Sequence, residues 1–175
     1  MAPRSGPPAV AAFVVNKGVV METMRDVLST QPFLAGLSPA YLDKLLPWSK
    51  KSVFPLGTRI FEEGRQAERF WLILEGRVSL ESQVPGRGAV VVESLGRGAV
   101  LGWSWLFPPY RWHFSASAGE VTSVIEFDAA GVRELCQRDP ALGFQLAIRF
   151  TEVVVDRLQS TRMQLLDLYA RPSGG

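Results

Sequence analysis

The 175-residue sequence has one cysteine and one histidine. A lone Cys136 excludes an intrachain disulfide framework and any cysteine-built zinc cluster, and it reads as intracellular usage. With His113 alone, a histidine-rich metal site is excluded too, and metalloenzyme chemistry is not expected. No apolar run nears the ~20 residues that span a bilayer, so the chain is expected to be soluble and cytoplasmic, without a membrane partner. An excess of one charge is also lacking. The 19 Lys and Arg stand against 17 Asp and Glu, a formal net charge of +2. That balance does not mark a dedicated nucleic-acid binder, although it leaves room for a local basic patch. Apolar residues are plentiful at 47%, enough to bury a core and too many for a disordered chain.

The composition changes along the chain. Residues 1–21 are Pro/Gly/Ala-rich without a sustained period and read as a flexible N-terminal extension. Within them Ala9 to Val20 looks like a signal-peptide core after Arg4, but Asn16, Lys17 and Gly18 break it and no small-residue cleavage pattern follows. Met21 is a candidate start, because the periodic sequence begins after it. Residues 22–51 read as N-terminal helices: a short one from Glu22 to Leu28, then one with Ser38 as N-cap and Pro39 at its first position. The second carries an apolar stripe of Tyr41, Leu42, Leu45 and Leu46 and is ended by Pro47.

Residues 52–128 are short apolar runs punctuated by turn residues. Arg59-Ile60-Phe61 reads as a short strand. Phe70 to Leu74 is a continuous apolar run, closed by Glu75-Gly76, and reads as a buried strand. Val78 and Leu80 alternate with polar residues, as in a half-buried strand. Pro85-Gly86-Arg87-Gly88 predicts a hairpin loop into Val90-Val91-Val92, and Leu95-Gly96-Arg97-Gly98 a turn into Val100-Leu101. Strands are expected again over Trp112 to Ala118 and Val121 to Phe127. Such regular punctuation predicts a small β-sandwich or barrel. Residues 129–171 then read as C-terminal helices: one over Ala129 to Gln137, stopped by Asp139-Pro140, and one long helix from Ala141 to about Tyr169. The fold class is α+β.

Four pieces in this order resemble the cyclic-nucleotide-binding domain of catabolite-activator (Crp/Fnr-like) regulators, protein-kinase regulatory subunits and gated channels. They are Pro55-Leu56-Gly57 with Ile60 to Gly64, Trp71 to Val78, Leu95 to Gly102, and the C-terminal helices. The resemblance, over roughly residues 30 to 170, implies a β-roll (double-stranded β-helix or jelly roll) between short N-terminal helices and a long C-terminal one. It also implies a phosphate-binding cassette led by Gly102, where backbone N–H groups and an Arg hold the phosphate and a Glu accepts from the ribose hydroxyl. The cassette departs from that pattern. Trp103 stands where the Glu belongs, in Gly102-Trp103-Ser104-Trp105-Leu106, and an indole has no acceptor for a hydroxyl. The Arg position falls on Trp112, with Arg111 one residue away and therefore on the opposite face of a strand.

Two arrangements stay open for Arg111 to Ser117. With Arg111, His113, Ser115 and Ser117 facing the interior, an anion-friendly pocket results. With Trp112, Phe114 and Ala116 facing it, aromatic rings take the place of a nucleotide, which is the ordinary preference of large aromatics. The aromatic block Trp103 to Trp112 is either a stacking platform for a planar ligand or packing of a loop on the roll. The candidate ligand residues are thus Gly102, Trp103, Ser104, Trp105, Arg111, Trp112 and Ser115, and the candidate ligands cyclic AMP, cyclic GMP or another planar anion. Gly102 to Leu106 lacks the second Gly of a nucleophile elbow and shows no base beside Ser104, so enzymatic activity is not expected. Cys136 reads as a small core hydrophobe.

On the last helix Ala147, Thr151, Val154, Leu158, Thr161, Leu165 and Leu168 recur at spacings of four and three, a heptad seam. The resemblance makes this helix a homodimer interface, with Val154, Leu158 and Leu165 at its centre. In the resembled regulators a helix-turn-helix follows, whereas this chain ends six residues after Tyr169, so specific DNA binding is not expected. The expected function is a stand-alone, non-enzymatic sensor or regulatory domain with a degenerate cassette, signalling through its C-terminal helix to an unidentified protein partner. The alternatives are a ligand-free dimerising scaffold of the same fold, and a transcription regulator without its DNA-binding half.

Overall fold

A computed structural model describes residues 22–170; the extension expected over 1–21 lies outside them. Helix α1 (Met24–Ser29) starts at a reciprocal cap: the Thr23 hydroxyl accepts from the Asp26 N–H while the Asp26 carboxylate accepts from the Thr23 N–H. Helix α2 (Pro39–Leu45) is capped by Ser38, whose hydroxyl accepts from the Tyr41 N–H, and buries Leu42 and Leu45. A 3-10 turn at Leu46–Trp48 takes up Pro47, and strand β1 (Ser49–Phe54) begins at once. The sheet therefore starts three residues before the expected Ser52 boundary, because proline cannot continue the helix and releases the chain into extended backbone.

Seven further strands follow: β2 (Arg59–Phe61), β3 (Arg69–Glu75), β4 (Val78–Val84), β5 (Gly88–Leu95), β6 (Val100–Leu101), β7 (Ser115–Ala118) and β8 (Thr122–Asp128). They form two antiparallel four-stranded sheets, β1-β8-β3-β6 and β2-β7-β4-β5. In the first, Phe70 faces Phe127 and Leu72 faces Ile125; in the second, Phe61 pairs with Ala116 and Val78 with Leu95. This is the β-roll.

The unbroken apolar run of β3 has a direct cause. Phe70, Trp71, Leu72 and Ile73 are all buried, because β3 is covered on both faces. Phe70 stacks on Phe127 and Trp105 and meets Phe150 edge-on. Trp71, its neighbour in sequence, belongs to a second aromatic group with Phe61 and Trp112. One strand thus separates two aromatic layers.

Helix α3 (Ala129–Arg138) is capped by Asp128, and helix α4 (Pro140–Ala170) runs 31 residues. Gly131 is required on α3: a Cβ there would stand 1.9 Å from the Trp48 ring. The Asp139 carboxylate accepts from the Leu142 N–H at the start of α4 and holds Lys44 of α2 at 2.6 Å. Leu142, Leu146 and Phe150 bury one side of α4. From Leu158 onward every residue of α4 is exposed.

The strand expected over Trp112 to Ala118 is corrected: only β7, from Ser115, is strand. The Trp112 N–H donates to the Arg65 carbonyl and its carbonyl accepts from the Gly64 N–H. Its backbone is thus hydrogen-bonded to the β2–β3 turn instead of to a strand.

Candidate functional site

The site is built on the segment from β6 to β7. Gly102 has φ +88°, and a Cβ on it would lie 2.9 Å from the Trp112 ring, so both backbone freedom and lack of a side chain are needed there. Trp112 is buried and stacks on Phe61, ring centroids 3.9 Å apart and planes 16° from parallel. Trp71 continues the stack at 5.9 Å. Trp112 and Ala116 thus turn inward with Arg111 and His113 exposed, while Ser115 is buried and Phe114 half-buried, because the face alternation breaks before β7 begins. A cavity of about 10 Å³ remains against Phe61, Leu80, Gly102, Trp103, Trp112 and Arg157. It is at most the size of one water.

The other candidate residues fall into three places. Trp103 is half-buried and lines the cavity, stacked on His113 at 4.8 Å and on Phe107 at 5.6 Å. Ser104 is buried beneath it and shares a 2.9 Å hydrogen bond with His113 Nδ1. A base therefore does stand beside Ser104, contrary to the reading of the sequence, because the loop folds residue 113 back over residue 104. Trp105 belongs to the other aromatic layer, fully buried between Phe70 and Phe150, and its indole N–H has no partner.

Arg111 does not join these residues. It is exposed, its guanidinium donates to the Gly64 carbonyl at 2.8 Å, and its backbone bridges to Gln66. Ser115 accepts from the Glu63 N–H and is likewise committed to the β2–β3 turn. The structure thus brings Gly102, Trp103, Ser104 and Trp112 together and leaves Trp105, Arg111 and Ser115 elsewhere.

Three contributors escape a reading of the sequence. Phe61 supplies the lower ring of the stack, from a three-residue strand. Arg133 on α3 donates to the Trp105 carbonyl at 2.8 Å and lies over the Tyr110 ring, clamping the aromatic loop. Arg157 on α4 reaches across to the cavity and donates to the Val100 carbonyl of β6, with the Glu93 carboxylate 3.7 Å from its Nε. Burial pushes its guanidinium below its ordinary value, with Glu93 pulling the other way.

A larger surface cleft, about 740 Å³, opens between β1, β8 and α3. Its buried Glu126 carboxylate accepts from the Trp71 indole at 3.1 Å and pairs with Arg69 and with Lys50 at 3.2 Å. Burial alone would raise Glu126, but the Trp71 donor and the two cations hold it below its ordinary value of 4.5. Half-buried Cys136 has its thiol raised, by burial and by Asp139. Among the described residues no three His, Cys, Asp or Glu gather as metal ligands, and no helix is long and apolar enough to cross a membrane.

A β-roll between short N-terminal helices and a long C-terminal helix, with a glycine-led turn at its cavity, defines the class of domain by its architecture. The chain belongs to the cyclic nucleotide-binding domain family, whose description matches residues 51–139. It is similar to the CRP-like cAMP-activated global transcriptional regulator of Mycobacterium tuberculosis, 23% identical over 145 residues, 83% of this chain. The chain spans 63% of that regulator's length. Among solved structures, a candidate cyclic nucleotide-binding protein from Geobacter metallireducens is 31% identical with a TM-score of 0.71, covering 78% of this chain and 98% of its own. The catabolite activator protein of Thermus thermophilus is 25% identical with a TM-score of 0.63, covering 79% and 63%.

Proposed function

We propose that this chain is a non-enzymatic regulatory domain whose nucleotide pocket is filled by its own side chains, with α4 as the output element. The observation carrying this reading is the stack of Trp112 on Phe61 against Gly102, which leaves about 10 Å³ at the glycine-led turn, where ligand pockets ordinarily offer roughly 300–1,000 Å³; the cleft of about 360 Å³ that borders the same two rings is lined by Arg59, Arg65, Arg69 and Trp71 and does not reach Gly102. The electrostatics agree with it. Trp103 offers no acceptor to a ribose hydroxyl, and Arg111 is spent on the Gly64 carbonyl outside the cavity. An unpaired ligand group in a closed pocket costs roughly 1–3 kcal/mol, so two of them move a micromolar ligand towards millimolar.

The output side of the proposal rests on α4. Phe144, Ile148, Val155, Leu158 and Leu165 are exposed on the helix, away from the side that Leu142, Leu146 and Phe150 bury. An apolar stripe of this kind is the surface by which a second copy of the chain would pair, forming a homodimer that presents the helix ends to a protein partner. Val154 of the expected seam is half-buried, so the exposed stripe is rotated from it towards Val155. Calorimetric titration with cyclic AMP and cyclic GMP at physiological salt tests the filled pocket. No saturable heat below about millimolar is expected; micromolar binding would overturn it.

A further inference from the structure

Among the described residues, Arg157 is the cation that lines the filled cavity, and its last side-chain contacts also mark where α4 leaves the roll. Its side chain is 15% exposed. On the roll it touches two neighbouring elements: the Val100 carbonyl on β6, two residues before Gly102, and the Glu93 carboxylate on β5. A guanidinium so enclosed carries a large desolvation cost, compensated here by one carbonyl and one carboxylate. We propose that Arg157 is a built-in substitute for a ligand: a latch that closes the pocket from the helix side and holds α4 docked on the roll without any nucleotide. The proposal rests on the filled-pocket reading above.

The geometry gives the latch its mechanical meaning. Leu142, Leu146 and Phe150 anchor the first turns of α4 in the core. Val153 packs at the edge of that core, and Arg157 is the next inward position one turn on. Beyond it the helix has only exposed residues. A helix held at one end by apolar packing and then by a single guanidinium has a natural release point at the guanidinium. Removing it frees the helix from Val153 outward while the apolar anchor stays in place. Arg157 and Trp112 line the same cavity, so the state of the pocket and the position of α4 meet at one place in the fold.

Hydrogen exchange of the full chain, followed by mass spectrometry, tests the latch with Arg157→Ala, Arg157→Lys and Glu93→Gln. Parallel runs in a Leu158→Glu background keep helix pairing from masking the result. The latch predicts at least tenfold faster exchange of α4 amides from Val153 outward in Arg157→Ala. Smaller increases are expected in Arg157→Lys, which loses the fork, and in Glu93→Gln, with β3 and β8 amides unchanged in those two variants. Unchanged exchange in α4, or an equal rise across roll and helix in all three variants, overturns it. Adding cyclic AMP to the unmutated chain separates the two readings. Protection appearing at β6 and the 3-10 turn Ser104–Leu106 sinks the filled pocket itself, while no nucleotide effect together with an unmoved α4 sinks the latch alone.

Discussion

The indole of Trp112 lies face to face with the Phe61 ring at 3.9 Å and against the bare α-carbon of Gly102. Phe61 and Trp112, 51 positions apart in sequence, thus form one aromatic plug seated on Gly102. Each constrains the others: Gly102 must lack a side chain, Phe61 must be flat, and the turn at Gly64 must hold the Trp112 backbone. A plug of this kind contributes stability where a ligand pocket would cost it.

Trp112→Ala should therefore destabilise the fold by about 3–5 kcal/mol, the range for losing a buried large aromatic. The variant opens an apolar void, and such voids take up small aromatic molecules. Indole at millimolar concentration is expected to raise the melting temperature of Trp112→Ala and to leave the unmutated chain unchanged. Equal response of both proteins would show that Trp112 does not occupy the cavity.

The Glu126 carboxylate makes stability depend on acid. Its value is held below 4.5 by Trp71, Lys50 and Arg69 against the opposing effect of burial, so the folded state binds its proton more weakly than the unfolded chain. The stabilisation is complete above pH 4.5 and is lost as pH falls through the depressed folded value. Denaturant titrations from pH 7 downward should show a steeper loss in the unmutated chain than in Glu126→Gln, which is less stable at neutral pH and flatter in acid. Parallel curves for the two proteins would contradict the assignment.

The order of elements, the buried β3 run and the Ser38 cap follow from local rules, and the sequence displays them. The site was legible in part. Gly102, Trp103 and Trp112 stand out by motif and composition, but whether the aromatic or the polar face turns inward depends on the pairing of residue 112 with the Gly64 turn, which no periodicity encodes. Arg111 was a candidate only for the arrangement in which a strand turns its polar face inward, and the segment before Ser115 is not strand. Arg157 left no local signal at all. One turn of α4 beyond Val153, it reads as a solvated helix cation until the roll is placed beside it.

Pairing through α4 predicts a specific response to charge. Leu158 is 64% exposed in the single chain, so Leu158→Glu leaves the protomer's own core untouched. Light scattering is expected to give a dimer for the unmutated chain and a monomer for Leu158→Glu, with melting of the monomer close to that of its parent after correction for concentration. A monomeric parent, or a dimer indifferent to the substitution, would remove α4 as the interface.

The described residues should not read DNA sequence. Phosphate contacts need clustered cations free to replace condensed counterions, and base readout needs an element that fits a groove. Here most cations are already engaged: Arg25 with Asp43, Lys44 with Asp139, Lys50 and Arg69 with Glu126, Arg59 with Glu81, Arg77 with Glu120, and Arg157 with Glu93. Arg111, Arg133 and Arg149 donate to backbone carbonyls. On α4, Glu152, Asp156 and Asp167 interleave with the arginines and blunt any phosphate track. Any association is expected to be independent of sequence and to fall steeply between low and physiological salt. In a gel-shift titration at physiological salt, a complex competed by one duplex and not by bulk DNA would defeat this prediction.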